Sequence, residues 1–105
     1  MGAAGSSHGT FQRALERGNL TVALATAREL AGLTLEDALA LTELLARVGD
    51  ERFEAAAARW LGRLAAERRP RLRLLGLAAE LLRELEQEQS RASAYAMLRA
   101  LLRSG

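Results

Sequence analysis

The chain is predicted to be all-α, with five to six short helices in three antiparallel hairpins, forming a compact helical bundle or a short helical-repeat-like array. Three observations predict this. Apolar residues recur at i, i+3, i+4 and i+7 nearly everywhere, and strand-type alternation is absent. Strong helix formers dominate, with 22 Ala, 22 Leu and 15 Arg among 105 residues. Gly, Pro and capping residues punctuate the chain at intervals that suit short helices. The length fits one domain. Half the residues are apolar and the net charge is only +2, so the chain has the composition of a folded protein.

Residues 1–9, rich in Gly and Ser, are expected to form a disordered leader, with residues 10–105 a single helical domain. Thr10 can cap a first helix with Phe11, Ala14 and Leu15 at helical spacing, ended by Gly18. Asn19 caps a second, whose stripe is Leu20, Ala23, Leu24, Ala27, Leu30 and Ala31, stopped by Gly32. Thr34 opens a third, with Asp37 placed for a near capping box and Leu33 and Ala38 for a hydrophobic staple. Its apolar arc (Leu35, Ala38, Leu39, Leu41, Leu44, Leu45, Val48) is too broad for one neighbour, which predicts a central helix packed on two sides.

Gly49 ends the third helix, and Asp50 is expected to cap a fourth and longest one carrying Phe53, Ala56, Ala57, Trp60, Leu61, Leu64 and Ala65 on one face. Pro70 ends it near Arg68 and suits the first turn of the next helix. Helix five carries two apolar rows, Leu72, Leu75, Ala79 and Leu82 beside Leu74, Ala78, Leu81 and Leu85. After a polar break at Gln87–Gln89, Ser90 caps a last helix with Ala94, Met97, Leu98, Leu101 and Leu102 inward. Counted from Asn19, Asp50 and Ser90, Ala recurs six residues on, Arg nine on and Leu eleven on, which is the basis of the array alternative.

Composition closes several functional classes. Without Cys there is no disulfide framework, thiolate metal site or thiol nucleophile. No apolar run approaches the roughly 18 residues of a membrane span; the longest, Leu74–Ala79, is interrupted by Gly76. The amino terminus has neither the basic nor the apolar region of a secretory signal, and a cytoplasmic location is expected. Met1-Gly2-x-x-x-Ser6 matches an N-acylation pattern, as a Gly/Ser/Ala leader readily does. The single His8 falls in the expected leader, and Lys is absent, so imidazole base catalysis, His-ligated metals, Schiff bases and P-loop chemistry have no residues to use. Glu80, Glu84 and Glu88 share one face with Glu86 nearby, but the Glu-x-x-His partner of a bundle di-metal site is missing, so they read as a solvated face. The expectation is a non-enzyme with no cofactor and no metal.

Charge is unevenly spread. Residues 51–73 carry Arg52, Arg59, Arg63, Arg68, Arg69, Arg71 and Arg73 against Glu51, Glu54 and Glu67, while the flanking segments are slightly acidic or neutral. Arg52, Arg59 and Arg63 fall within about 40° of one another around a helix. Arg63 and Glu67 can pair at i, i+4, and Arg68 and Arg69 can complement the carboxyl end of helix four. The absence of Lys and Ile and the scarcity of Asn, Phe and Tyr, all with AT-rich codons, point to a GC-rich bacterial genome, so the preference for Arg follows codon usage.

The segment Phe11-x-Arg13-Ala14-Leu15-Glu16-Arg17-x-Asn19-Leu20 through Ala27-Arg28-Glu29-Leu30, then Ala38-Leu39-x-Leu41-Thr42, then Ala57-Ala58-Arg59-Trp60-Leu61-x-Arg63 with Glu67 and Pro70 downstream, resembles a group of short, uncharacterised, all-helical, Ala/Leu/Arg-rich proteins from GC-rich bacteria. The resemblance covers roughly residues 10–70. After Pro70, where the group carries an acidic stretch, this chain has Arg71-Leu72-Arg73. It implies the helical fold and no activity or site residues.

The sequence therefore predicts a protein-interaction module that self-associates as a homodimer, because helices three and five carry surplus apolar surface and no catalytic constellation is present. Trp60, Leu74 and Leu81 are its candidate interface residues; Trp60 lies on the apolar stripe, so it is a core residue unless half-exposed. The alternative is a nucleic-acid-binding helical domain contacting phosphates through the seven arginines between Arg52 and Arg73. No membrane partner and no small-molecule substrate are expected.

Overall fold

The structure, a computed structural model, describes residues 3–30 and 32–104, with side chains from Ser7 onward. It contains six α-helices and no strand among the described residues: α1 (Ala3–Arg17), α2 (Leu20–Glu29), α3 (Leu35–Val48), α4 (Phe53–Arg68), α5 (Leu72–Glu84) and α6 (Arg91–Ser104). None is long and apolar enough to cross a membrane.

Local chemistry accounts for most boundaries. The side-chain oxygen of Asn19 accepts from the Val22 N–H at 3.2 Å, and Thr34 Oγ1 accepts from the Asp37 N–H at 3.0 Å, each satisfying an amide that its helix leaves open. Gly18 and Gly49 take positive φ (71° and 70°), and the Gly49 N–H closes back on Ala46 and Leu45, which ends α3. Arg69 does the same for α4 without being glycine, at φ 49°.

Several boundaries differ from expectation. Helix α1 begins at Ala3, so residues 3–9 are helical and Thr10 lies mid-helix. That stretch is helical in spite of Gly5 and Gly9, which disfavour helix, and His8 and Gln12 hook α1 to the carboxylate of Asp37 at 3.1 and 3.0 Å. Met1 and Gly2 of the acylation pattern lie outside the described residues, as does Ala31 of the α2 stripe. Asp37 faces α1 through those bonds, where a capping box would turn it back on Thr34. Asp50, three residues before α4, caps the tight turn that leads into it, accepting from the Arg52 N–H at 2.8 Å. Pro70 stands in the linker, because Arg69 reverses the chain and Arg71 is extended at α5's start. Ser90 directly precedes α6 and its carbonyl accepts from the Ala94 N–H at 2.9 Å, but its hydroxyl donates to the Glu84 carboxylate at 2.6 Å and accepts from no α6 amide among the described residues.

The hairpins α1–α2, α3–α4 and α5–α6 make the most extensive pairings. The links α4–α5 and α3–α6 join the last four helices into a closed ring, and α1–α2 docks on α3. The ring sets the arrangement as a bundle; stacked repeats would continue in one direction without closing α6 onto α3.

Two apolar clusters meet at α3, as the broad arc predicted. Leu35, Leu39 and Leu45 join Trp60, Leu85 and Leu98 in the main core. Leu44 turns the other way to Phe11, Leu15 and Ala23. Three expected inward residues point out: Val48 and Met97 are half-exposed and Leu72 is 84% exposed. Leu72 lies about 120° around α5 from buried Ala78, off the face that Leu81 and Leu82 share. Val48 is the last residue of α3, beyond its neighbours.

Candidate interaction groove

Helices α2 and α4 both pack on α3 but make no close approach to each other among the described residues. The space between them is a groove of about 820 Å³. Its floor is apolar, made by Leu41 and Leu45 of α3 with the edge of Trp60, and Leu24 and Leu33 form one wall. The α4 wall is low, because Ala55, Ala56, Gly62 and Ala66 face the opening. Arg52, Arg59, Arg63 and Glu67 stand along it. That size lies within the usual range for binding sites, and an apolar floor edged by a few charged groups is their usual chemistry.

The α4 wall is charged in a specific way. Arg52 grips Asp50 through two guanidinium nitrogens, at 2.8 and 2.9 Å. The same guanidinium, with the Arg52 N–H, holds the Asp50 carboxyl down at about 2. Arg63 donates to Glu67 at 2.7 Å, the i, i+4 pair the sequence predicts. Arg59, between them, makes no ion pair or side-chain hydrogen bond among the described residues.

The seven predicted arginines do not form one patch. Arg52, Arg59 and Arg63 border the groove. Arg68 serves the fold: its Nη1 donates to the Leu102 carbonyl at 2.7 Å and its Nη2 lies 3.7 Å from Glu36. It thus complements the carboxyl end of α6, where the carboxyl end of α4 was expected. Arg69, Arg71 and Arg73 are exposed around the α4–α5 corner beside Leu72 and have no ion pair among the described residues.

Of the candidate interface residues, Trp60 and Leu81 are interior, at 1% and 7% exposure, and only Leu74 is partly accessible. The Trp60 indole N–H donates to the Leu35 carbonyl at 2.8 Å, so its polar end is satisfied inside the chain. Glu80, Glu84 and Glu88 are exposed. Sequence reasoning missed Leu24, Leu33, Leu41 and Gly62 as groove residues. Gly62, a glycine at mid-helix opposite no turn, was the available signal.

A second cleft, between α3 and α6, is lined by Glu43, Arg47, Glu88 and Arg91, and both of its arginines already have partners. Arg47 is paired with Glu43 at 2.9 Å and Arg91 donates to the Leu85 carbonyl at 2.6 Å. Beside them Arg99 lies 5.7 Å from the Tyr95 ring centre, and burial pushes the Tyr95 hydroxyl up.

No known protein family matches the chain, and no curated protein and no solved structure is detectably similar to it.

Proposed function

We propose that the chain is a non-enzymatic interaction module of the bacterial cytoplasm whose groove between α2, α3 and α4 receives a helical segment of a partner protein. The observation that carries this is the groove itself: partly exposed Leu24, Leu33 and Leu41 line the space between two helices that do not meet. A helix laid there would pack on α3 as α2 and α4 already do, in the helix-in-groove mode of recognition. The homodimer expected from the sequence needed surplus apolar surface on α3 and α5. Helix α3 spends its arc on two cores, and the large apolar side chains that stay exposed, Val48, Leu72, Leu77 and Met97, lie outside the groove and are dispersed over four sites on α3, α5 and α6.

The test is a display library of amphipathic helical peptides screened against the whole protein, with Gly62→Leu as the blocked control. Nothing lies within 4 Å of a Cβ built at Gly62, and Gly62 lines the groove, so this variant adds side-chain volume on the groove wall with room for its Cβ. Peptides that bind the native protein and not Gly62→Leu support the reading. No binders, or binders indifferent to the substitution, overturn it. A micromolar dimer in sedimentation that Gly62→Leu dissolves would replace the partner protein with a second copy.

A second reading, phosphate-backbone binding, is favoured by the three exposed and unpaired arginines at the α4–α5 corner, Arg69, Arg71 and Arg73.

A further inference from the structure

The helices that could occupy the groove differ in the charge they would bring to its α4 wall, and that wall is selective. Arg47 has Glu43 at i−4 and Arg63 has Glu67 at i+4, so each guanidinium is neutralised on its own helix. Arg59 is given no such neighbour: the positions three and four away are Ala55, Ala56, Gly62 and Arg63. Its only charged neighbour at that spacing is a like charge, which opposes helix stability.

Gly62 points the same way. A glycine inside a helix costs about 1 kcal/mol relative to Ala. Here it has an ordinary helical backbone, and no atom of the chain approaches the place where its Cβ would be. The chain's own packing therefore has no need of glycine. The same is true of Gly76 on α5, so what sets Gly62 apart is its place on the groove wall, where small residues let a second backbone come close. Ala55, Gly62 and Ala66 line the wall over a rise of about 16 Å, or three helical turns.

We propose that the groove's partner is an acidic amphipathic helix of about three turns, with apolar residues at i, i+3 or i+4 and i+7 seated on Leu24, Leu33 and Leu41, and a carboxylate on the flank facing α4 paired with Arg59. This rests on the docking reading above and adds the sign and place of the partner's charge. Arg52 and Arg63 already hold carboxylates, so Arg59 is the position where an incoming Glu or Asp gains a bond without displacing one.

The experiment uses the same whole protein and a library of 14-residue helical peptides with Leu fixed at i, i+3 or i+4 and i+7, and Glu, Gln or Lys varied on both flanks. Glu is expected to be enriched on one flank, and the best such peptide is expected to weaken about fivefold with Arg59→Gln, with Arg59→Lys recovering part of the loss. Raising salt should narrow the difference between Glu and Gln peptides. Peptides that Gly62→Leu blocks but that show no preference for Glu, or whose preference survives Arg59→Gln, overturn this inference and leave the docking reading standing. Absence of any groove-dependent peptide overturns both. Binding of oleate in the groove with no peptide selected would assign it to a small anionic amphiphile and also overturn the inference.

Discussion

Trp60 is held in two ways at once: its ring fills the main core at 1% exposure, and its indole N–H donates to the Leu35 carbonyl at the first turn of α3. The second contact ties the middle of α4 to the amino end of α3. Trp60→Phe removes the donor and leaves unfilled volume in a close-packed interior. Its expected cost is about 2 kcal/mol in urea unfolding followed by circular dichroism. A loss below roughly 0.5 kcal/mol would mean that the bond and the volume are both dispensable. The residue was legible as core from its place on the α4 stripe, but its carbonyl partner was not, since Leu35 lies 25 positions away and nothing local links them. The same limit applies to Arg68. Sequence placed it at the end of its own helix, whereas its guanidinium reaches a carbonyl in α6 that only tertiary packing brings near.

At the scale of elements, the caps read correctly where the chemistry is local and incorrectly where a competing partner stands nearby. Asn19 and Thr34 do as their spacing predicts. Ser90 stands at the predicted position but with its hydroxyl turned to the Glu84 carboxylate, and Asp50 spends its oxygens on Arg52. The α4–α5 corner violates the most local rules. Arg69 holds a left-handed backbone, Arg71 occupies the N-cap of α5 without a side-chain bond, and no acid lies in the first turn. Arg71→Asp supplies both an acceptor for the open amides and a charge that suits the amino end of the helix. It is expected to raise stability by about 1 kcal/mol in thermal or urea unfolding. If the corner contacts nucleic acid, the same substitution lowers retention on duplex DNA at low salt, with Arg68 left in place for the fold. Higher stability with unchanged retention would remove the phosphate reading; unchanged stability would mean that the α5 amides are already satisfied by water.

For the whole molecule, the number, type and order of helices and the central position of α3 follow from periodicity, because each helix must bury one stripe. The groove does not follow, since it exists only because α2 and α4 diverge across α3, and that depends on how two clusters share one helix. This sharing has a consequence for cooperativity. The ring α3–α6 is closed on itself and holds Trp60, Leu85 and Leu98, whereas α1–α2 is attached through Leu44 and a smaller apolar cluster. Opening the hairpin exposes less apolar surface than unfolding the ring, so native-state hydrogen exchange should show α1 and α2 amides opening at lower free energy than those of α3–α6. Leu98→Ala, at a fully buried ring position, separates the two steps. It should reduce the protection of the most slowly exchanging α3–α6 amides by about 3 kcal/mol while leaving the α1–α2 opening energy unchanged. Equal protection throughout the native chain, or an equal loss in all six helices, would show a single cooperative unit. Because α2 forms one wall of the groove and α4 the other, a helix seated between them ties the hairpin to the ring. Its binding should then raise the α1–α2 opening energy toward that of the ring, in proportion to the logarithm of peptide concentration.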